Sequence, residues 1–228
     1  MKREVVITGD GSSTIHLPQW NEQYHSKHGA IQEAYHVFIK HGLHHIIETN
    51  SGTSSVSILE IGFGTGLNAF ITLLESEKYE LNINYYGVEG YPVLKDEIHQ
   101  LNYPEQLDAK TKAKLFYNLH DVTWEESHNV TSKFTLIKQK RFFNEINEKA
   151  KYNLIYFDAF GARVQPELWT ESIFQKMYDA LQLNGVLVTY AAKGSVRRAM
   201  QAVEFKVEKL PGPPGKREML RAFKEDLR

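Results

Sequence analysis

The chain has 228 residues, and its 27 Lys and Arg against 28 Asp and Glu leave a formal charge of −1, which gives no electrostatic case for a dedicated nucleic-acid or membrane-surface binder. Apolar residues make up 42% of the chain, no run approaches the roughly 18 apolar residues of a membrane-spanning helix, and the absence of cysteine excludes disulfides, thiolate metal sites and cysteine nucleophiles. At about 150 residues per domain the length fits one domain with an appendage, and the apolar run before Thr8-Gly9-Asp10 is too short for a secretory leader, so a cytoplasmic protein is expected.

Glu4 to Thr8 and Thr14 to Leu17 are β-rich runs around the turn-forming Gly9-Asp10-Gly11-Ser12-Ser13, which predicts a hairpin. After a polar stretch from Gln19 to Gly29, the spacing of Ile31, Ala34, Tyr35, Phe38 and Ile39 predicts one long helix, broken or bent near Gly42. Asn50 to Ser55 reads as a linker. The chain thus divides into a hairpin-and-helix appendage over residues 1–50 and a larger domain over 51–228.

In the larger part, strands alternate with helices. Val56 to Ile61 is a buried-strand run, followed by a helical pattern through Leu67, Phe70, Leu73 and Leu74. Ile83 to Val88 predicts a strand, Val93 to Leu101 a helix, Asn153 to Phe157 a strand, and Pro166 to Leu181 a helix with proline in its first turn. Val186 to Tyr190, Phe205 to Leu210 and Met219 to Phe223 complete the strands, with a helix from Val196 to Val203. Such alternation implies an α/β fold with a mostly parallel sheet covered on both faces. Between Lys110 and Ile146, the β-like runs Lys114 to Leu119 and Lys133 to Lys138 are expected to form a hairpin that supplies one sheet strand.

Glu60-Ile61-Gly62-Phe63-Gly64-Thr65-Gly66 places an acid at a strand end and glycines at every second position before a helix. Glycines let the backbone turn sharply and let a ligand lie against main-chain N–H groups. Leu67 stands where a dinucleotide fingerprint needs its third glycine, and no Walker Lys-Ser/Thr follows. Glu89 ends the next strand, about 20 residues on, where a carboxylate can accept ribose hydroxyls. Asp158 closes the apolar strand Leu154 to Phe157, at the end of the sheet where open α/β folds bind ligands. It is suited to orient an amine and take its proton, and equally suited to cap the turn that follows.

Trp20, Tyr24, His25 and His28 provide material for a lid, although ordinary packing with exposed histidines explains them too. His41, His44 and His45 fit a polar helix end without metal. Arg197, Arg198, Lys216 and Arg217 flank the loop Pro211-Gly212-Pro213-Pro214-Gly215 and offer a local phosphate-binding patch or plain solvated surface.

Gly62-Phe63-Gly64-Thr65-Gly66-Leu67-Asn68, Glu89-Gly90-Tyr91-Pro92, and Asp158-Ala159-Phe160 running into Pro166-Glu167-Leu168-Trp169-Thr170 together resemble the methyltransferase domain of the bacterial tRNA 5-methylaminomethyl-2-thiouridine biosynthesis proteins. Gly194-Ser195-Val196-Arg197-Arg198, Gly215-Lys216-Arg217-Glu218-Met219, Tyr24-His25-Ser26 and Gly29 to Ala34 extend the likeness over nearly the whole chain. The resemblance implies a class I S-adenosyl-L-methionine (SAM) methyltransferase fold with a seven-stranded, mostly parallel sheet. It implies methylation of the primary amine of 5-aminomethyl-2-thiouridine at the tRNA wobble position, without metal. The chain ends soon after Phe223, so the resemblance implies a stand-alone form that depends on a separate oxidoreductase for the aminomethyl group. By position, Glu60, Gly62, Phe63, Gly64, Thr65, Gly66, Asn68, Glu89 and Gly90 would bind the cofactor, with Glu89 on its ribose. Asp158 would be the catalytic base or orienting group, and Tyr24, Phe160, Arg197, Lys216 and Arg217 would meet the substrate. Lys140-Arg141-Phe142-Phe143 stands where the family often shows Gly-Asp near the adenine, so that contact does not carry over; Asp121 replaces it only under a different hairpin register. A small-molecule amine as acceptor, or nucleotide binding without catalysis, are the alternatives.

Overall fold

Short apolar runs alternating with amphipathic helices give, in the computed structural model that describes residues 2–50 and 52–225, one large sheet covered by helices and a small sheet beside it. The small sheet is antiparallel: β1 (Glu4–Ile7), β2 (Ser13–Leu17) and β3 (Glu22–Gln23). The large one holds β4 (Ser55–Ile61), β5 (Asn82–Val88), β6 (Ser127–Asn129), β7 (Phe134–Gln139), β8 (Tyr152–Phe157), β9 (Leu181–Thr189), β10 (Lys206–Pro211) and β11 (Glu218–Phe223). Their order is β10-β11-β9-β8-β4-β5-β7-β6. The five central strands are parallel, β11 and β6 run antiparallel to them, and the edge strand β10, antiparallel to β11, runs in the same direction as the central five. The eighth strand, one more than expected, is β6, a short edge strand that folds back on β7.

From β4 the chain crosses to β5 on one side, and β8 later pairs on its other side. This reversal opens a crevice at the carboxyl ends of the strands, the ligand position of doubly wound sheets. One face of the sheet is covered by the N-terminal helix and the helix Leu67–Lys78, with Ile15, Val37, Phe38, Phe70 and Tyr85 in its core. The helices Glu171–Ala180 and Gly194–Ala202 cover the other, over Phe157, Phe174 and Met200. No helix among the described residues is long and apolar enough to cross a membrane.

Three expectations change. The run Lys114 to Leu119 is not a strand but part of the helix Ala113–Asp121. It contains no β-branched residue, and Phe116 and Leu119, three apart, share its buried face. Proline 166 starts a single 3₁₀ turn, Pro166–Trp169, ahead of the helix proper, and Leu181 already belongs to β9. The N-terminal helix is also not broken at Gly42: it runs through Ala30–Ala34, a π-helical stretch Tyr35–His44, and His45–Thr49. Glycine is there for proximity, because a Cβ would lie 3.1 Å from Val188 and 3.2 Å from Tyr156. Gly42→Leu is therefore expected to overpack this seam and lower stability by about 1–3 kcal/mol, read as a lower urea midpoint with an unchanged slope.

Candidate active site

The loop after β4 is shaped by three glycines in the left-handed region, Gly62, Gly64 and Gly66, with φ of 90°, 47° and 70°. At Gly62 a Cβ would stand 2.7 Å from the carbonyl oxygen of Asp158, so only glycine lets β4 and β8 stay in register here. The N–H groups of Gly62 and Phe63 both donate to Val88 O at 3.0 Å, and Asp158 N donates to Ile61 O at 3.0 Å. Glu89 takes one N–H from each side of the crevice: Gly64 N at 3.1 Å and Tyr91 N at 2.7 Å. The loop is thus tied to both neighbouring strand ends.

Below it, Asn68 in the first turn of the helix Leu67–Lys78 donates from one Nδ2 to Glu60 Oε1 at 3.0 Å and to Asp158 Oδ2 at 2.9 Å. Glu60 is buried, and its Oε2 and Asn68 Oδ1 have no partner. Burial, with the Asp158 charge adding to it, pushes the Glu60 carboxyl well above the usual carboxylate range. Burial also raises Asp158, to about 7, and the Glu33 charge reinforces the shift. Glu60, Asn68 and Asp158 line the cavity together, a polar floor suited to a cation or to hydrogen-bond donors.

The roof comes from the segment after β2. Trp20 and Tyr24 meet Phe160 edge-on, with ring centroids 5.7 and 5.0 Å away. Arg163 fastens this segment by donating to Trp20 O (2.9 Å) and Asn21 O (3.0 Å) and pairing with Glu22. Arg3 ties the first strand to the far rim through Tyr91 O, Pro92 O and Glu97. His25 lies under the roof between Thr14 Oγ1 (3.0 Å) and Thr65 Oγ1 (3.4 Å), and burial lowers it to about 4. It is neutral at physiological pH.

The enclosed cavity measures about 1210 Å³. Of the residues expected from sequence, Tyr24, Glu60, Gly62, Phe63, Gly64, Thr65, Asn68, Glu89, Gly90, Asp158, Phe160 and Lys216 line it. Gly66 faces away from it, toward His120. Arg197 and Arg217 lie outside the cavity wall, while Lys216 turns inward, pairs with buried Glu33 and sits 3.7 Å from the Tyr190 ring centre. Asp121 is exposed, pairs with Lys95 at 3.1 Å and does not reach the cavity. Phe142, Phe143 and Asn144 do reach it, next to Gly90, whose missing Cβ leaves room for the Phe142 ring. Sequence reasoning missed Glu33, whose partner is far off in the chain. Gly29 to Ala34 had drawn attention only as a stretch of family likeness.

Residues 101–225 match the family model described as S-adenosyl-L-methionine-dependent methyltransferase. The chain is similar to the tRNA 5-methylaminomethyl-2-thiouridine biosynthesis bifunctional protein MnmC of Cupriavidus metallidurans, at 26% identity over 95% of this chain. Its likeness to the protein of that name from Hydrogenovibrio crunogenus is 28% over 88% of this chain. It spans 33% and 31% of the length of these two relatives. Among solved structures, MnmC2 from Aquifex aeolicus superposes with a TM-score of 0.77 at 26% identity, covering 97% of this chain and 69% of that one.

The residues present fit S-adenosylmethionine. The carboxyls of Glu60 and Asp158 on the cavity floor suit its ammonium and sulfonium end, and Glu89 is suited to its hydroxyls. A bound cation favours the ionised carboxyl and so opposes the burial that raises Glu60, and binding of cationic SAM is therefore expected to release more protons than binding of neutral S-adenosylhomocysteine. Calorimetry in buffers of different ionisation enthalpy measures this. In Glu60→Gln the difference between the two ligands is expected to shrink.

Proposed function

This chain belongs to the S-adenosyl-L-methionine-dependent methyltransferase family, and we propose that it methylates the primary amine of 5-aminomethyl-2-thiouridine at the wobble position of tRNA. The observation that carries this reading is Asp158. It stands at the switch point beside the glycine loop, open to the cavity, with its carboxyl raised to about 7. A primary amine is a nucleophile only when neutral, and a base that titrates near the working pH is best placed to take its proton. The names of the relatives, which concern biosynthesis of this modified uridine, support the choice of acceptor.

When bound, S-adenosylmethionine supplies an electrophilic methyl group. The chain's own residues do the rest. Asp158 Oδ1 accepts a hydrogen bond from the incoming amine while Asn68 holds Oδ2, and the proton lost as the new C–N bond forms passes to this carboxylate. Phe160, with Trp20 and Tyr24 against it, gives a planar base an aromatic wall. Roof and floor together exclude water from the reacting centre, which leaves positioning as the main contribution. Arg198, Arg217 and Lys27 are exposed and form no ion pair among the described residues, and Arg197 is half-buried beside them. They are suited to phosphates of a polyanion. The aminomethyl group has to be supplied by another enzyme, so this step follows the one that makes the primary amine.

Undermodified tRNA from a strain lacking this step, incubated with labelled SAM and digested to nucleosides, is expected to yield 5-methylaminomethyl-2-thiouridine by mass spectrometry. Label only in small amines would point to a metabolite methyltransferase instead. Asp158→Ala is expected to lower the single-turnover rate by about 10²–10⁴-fold. For wild type, that rate should rise with pH up to about 7 and level off above, as Asp158 ionises.

The same shift has a stability consequence with the opposite sign. Because the folded carboxyl binds its proton more tightly than the unfolded one, folding stability falls as pH rises from the ordinary Asp range through about 7. At pH 8 the inactive Asp158→Asn is therefore expected to melt at a higher temperature than wild type.

A further inference from the structure

We propose that His120 is a positioning residue for the glycine loop, held in place from behind by the buried Lys138. The inference rests on reading that loop as the cofactor seat. Its support is a layer of side chains under the loop that the mechanism above does not use.

His120 ends the last turn of the helix Ala113–Asp121, and its Nε2 lies 3.1 Å from Thr65 O. A carbonyl oxygen only accepts, so Nε2 carries the hydrogen and the ring is the neutral Nε2–H tautomer. Burial, with the Lys138 charge adding to it, lowers His120 to about 4, which keeps that tautomer across the physiological range. The contact fixes the direction of the Thr65-Gly66 peptide, the last bend before the helix Leu67–Lys78 begins. Glycine at 66 follows from the same contact: besides its φ of 70°, a Cβ there would stand 2.8 Å from Nε2.

The rest of the layer immobilises His120. Phe63 fills a notch over Gly87, where a Cβ would come within 2.4 Å of its ring, and meets His120 edge-on at 5.7 Å and Trp124 at 6.5 Å. Lys138 is 1% exposed, yet its ammonium is partnered: it donates to the backbone carbonyl of His120 and lies 4.8 Å from the centre of the Trp124 ring. A buried cation at the carbonyl end of a helix is stabilised by the unsatisfied carbonyls there. Its removal would leave His120 O without that donor in a desolvated place.

The test compares two substitutions at one position. His120→Leu keeps the bulk and loses the donor; His120→Gln keeps a donor of similar reach. His120→Met replaces the leucine variant if that does not fold. Calorimetry with S-adenosylhomocysteine is expected to show affinity about tenfold weaker for His120→Leu and within about threefold of wild type for His120→Gln. The KM for SAM should rise more than kcat falls. Hydrogen exchange of the Gly62 to Leu67 amides should be faster in the leucine variant than in wild type and near normal in the glutamine variant. Unchanged affinity and exchange in His120→Leu, or equal losses in both variants, would overturn the proposal. If wild type itself binds neither SAM nor S-adenosylhomocysteine, the cofactor reading fails, and the exchange comparison alone still decides whether His120 positions the loop.

Discussion

One amide group, Nδ2 of Asn68, donates to both Glu60 and Asp158. Two carboxyls converge on it from adjacent strand ends; burial raises both, with the Asp158 charge adding to the shift of Glu60 and the Glu33 charge to that of Asp158. The amide keeps them in one geometry while leaving an oxygen of Glu60 and its own carbonyl oxygen unpaired. Unpaired buried acceptors cost stability. They are tolerable in a site that receives a donor or a cation when it works, and the raised Asp158 carries the same cost in exchange for a base that titrates near neutrality.

The N-terminal part has a structural place in this arrangement. Ile15 and Leu17 belong to the same buried cluster as the helix Leu67–Lys78, so the small sheet is anchored in the core beside the loop it overhangs. From that anchor the chain runs across the cavity, fastened by Arg163 on one side and Arg3 on the other. Each fastening combines backbone carbonyls with one carboxylate, Glu22 for Arg163 and Glu97 for Arg3, polar contacts of modest net strength, while the anchor beneath is apolar and buried. Opening of the roof for a large substrate therefore costs less than displacement of the sheet beneath it.

How much of this was legible follows from the range of each contact. The glycine loop, Glu89 and Asp158 could be found because strand, turn and helix signals sit within a few residues of one another, and the mostly parallel sheet follows from alternation. Glu33 could not, because its meaning depends on Lys216 at the far end of the chain. His120 was hidden by a different cause. A short apolar run satisfies helix and strand periods alike, and reading Lys114 to Leu119 as extended removed the helix that carries His120 beneath Thr65. Gly42 misled in the other direction, since a glycine inside a helical pattern signals either a break or a close approach, and only the facing Val188 and Tyr156 tell which.

The formal charge of −1 conceals a separation that bears on the proposed acceptor. Glu33, Glu60, Glu89 and Asp158 line the cavity with Arg3, Lys27 and Lys216, the last of these paired to Glu33. Lys27, Arg198 and Arg217 are exposed. A cavity rich in carboxyls favours sulfonium and ammonium groups and disfavours phosphates, whereas exposed cations do the reverse. A polyanion carrying one amine side chain satisfies both fields at once: its backbone is held outside while the amine alone enters. Net charge, summed over the chain, cannot distinguish this from a surface of evenly mixed sign. A formal charge of −1 is therefore not by itself an argument against a nucleic-acid partner.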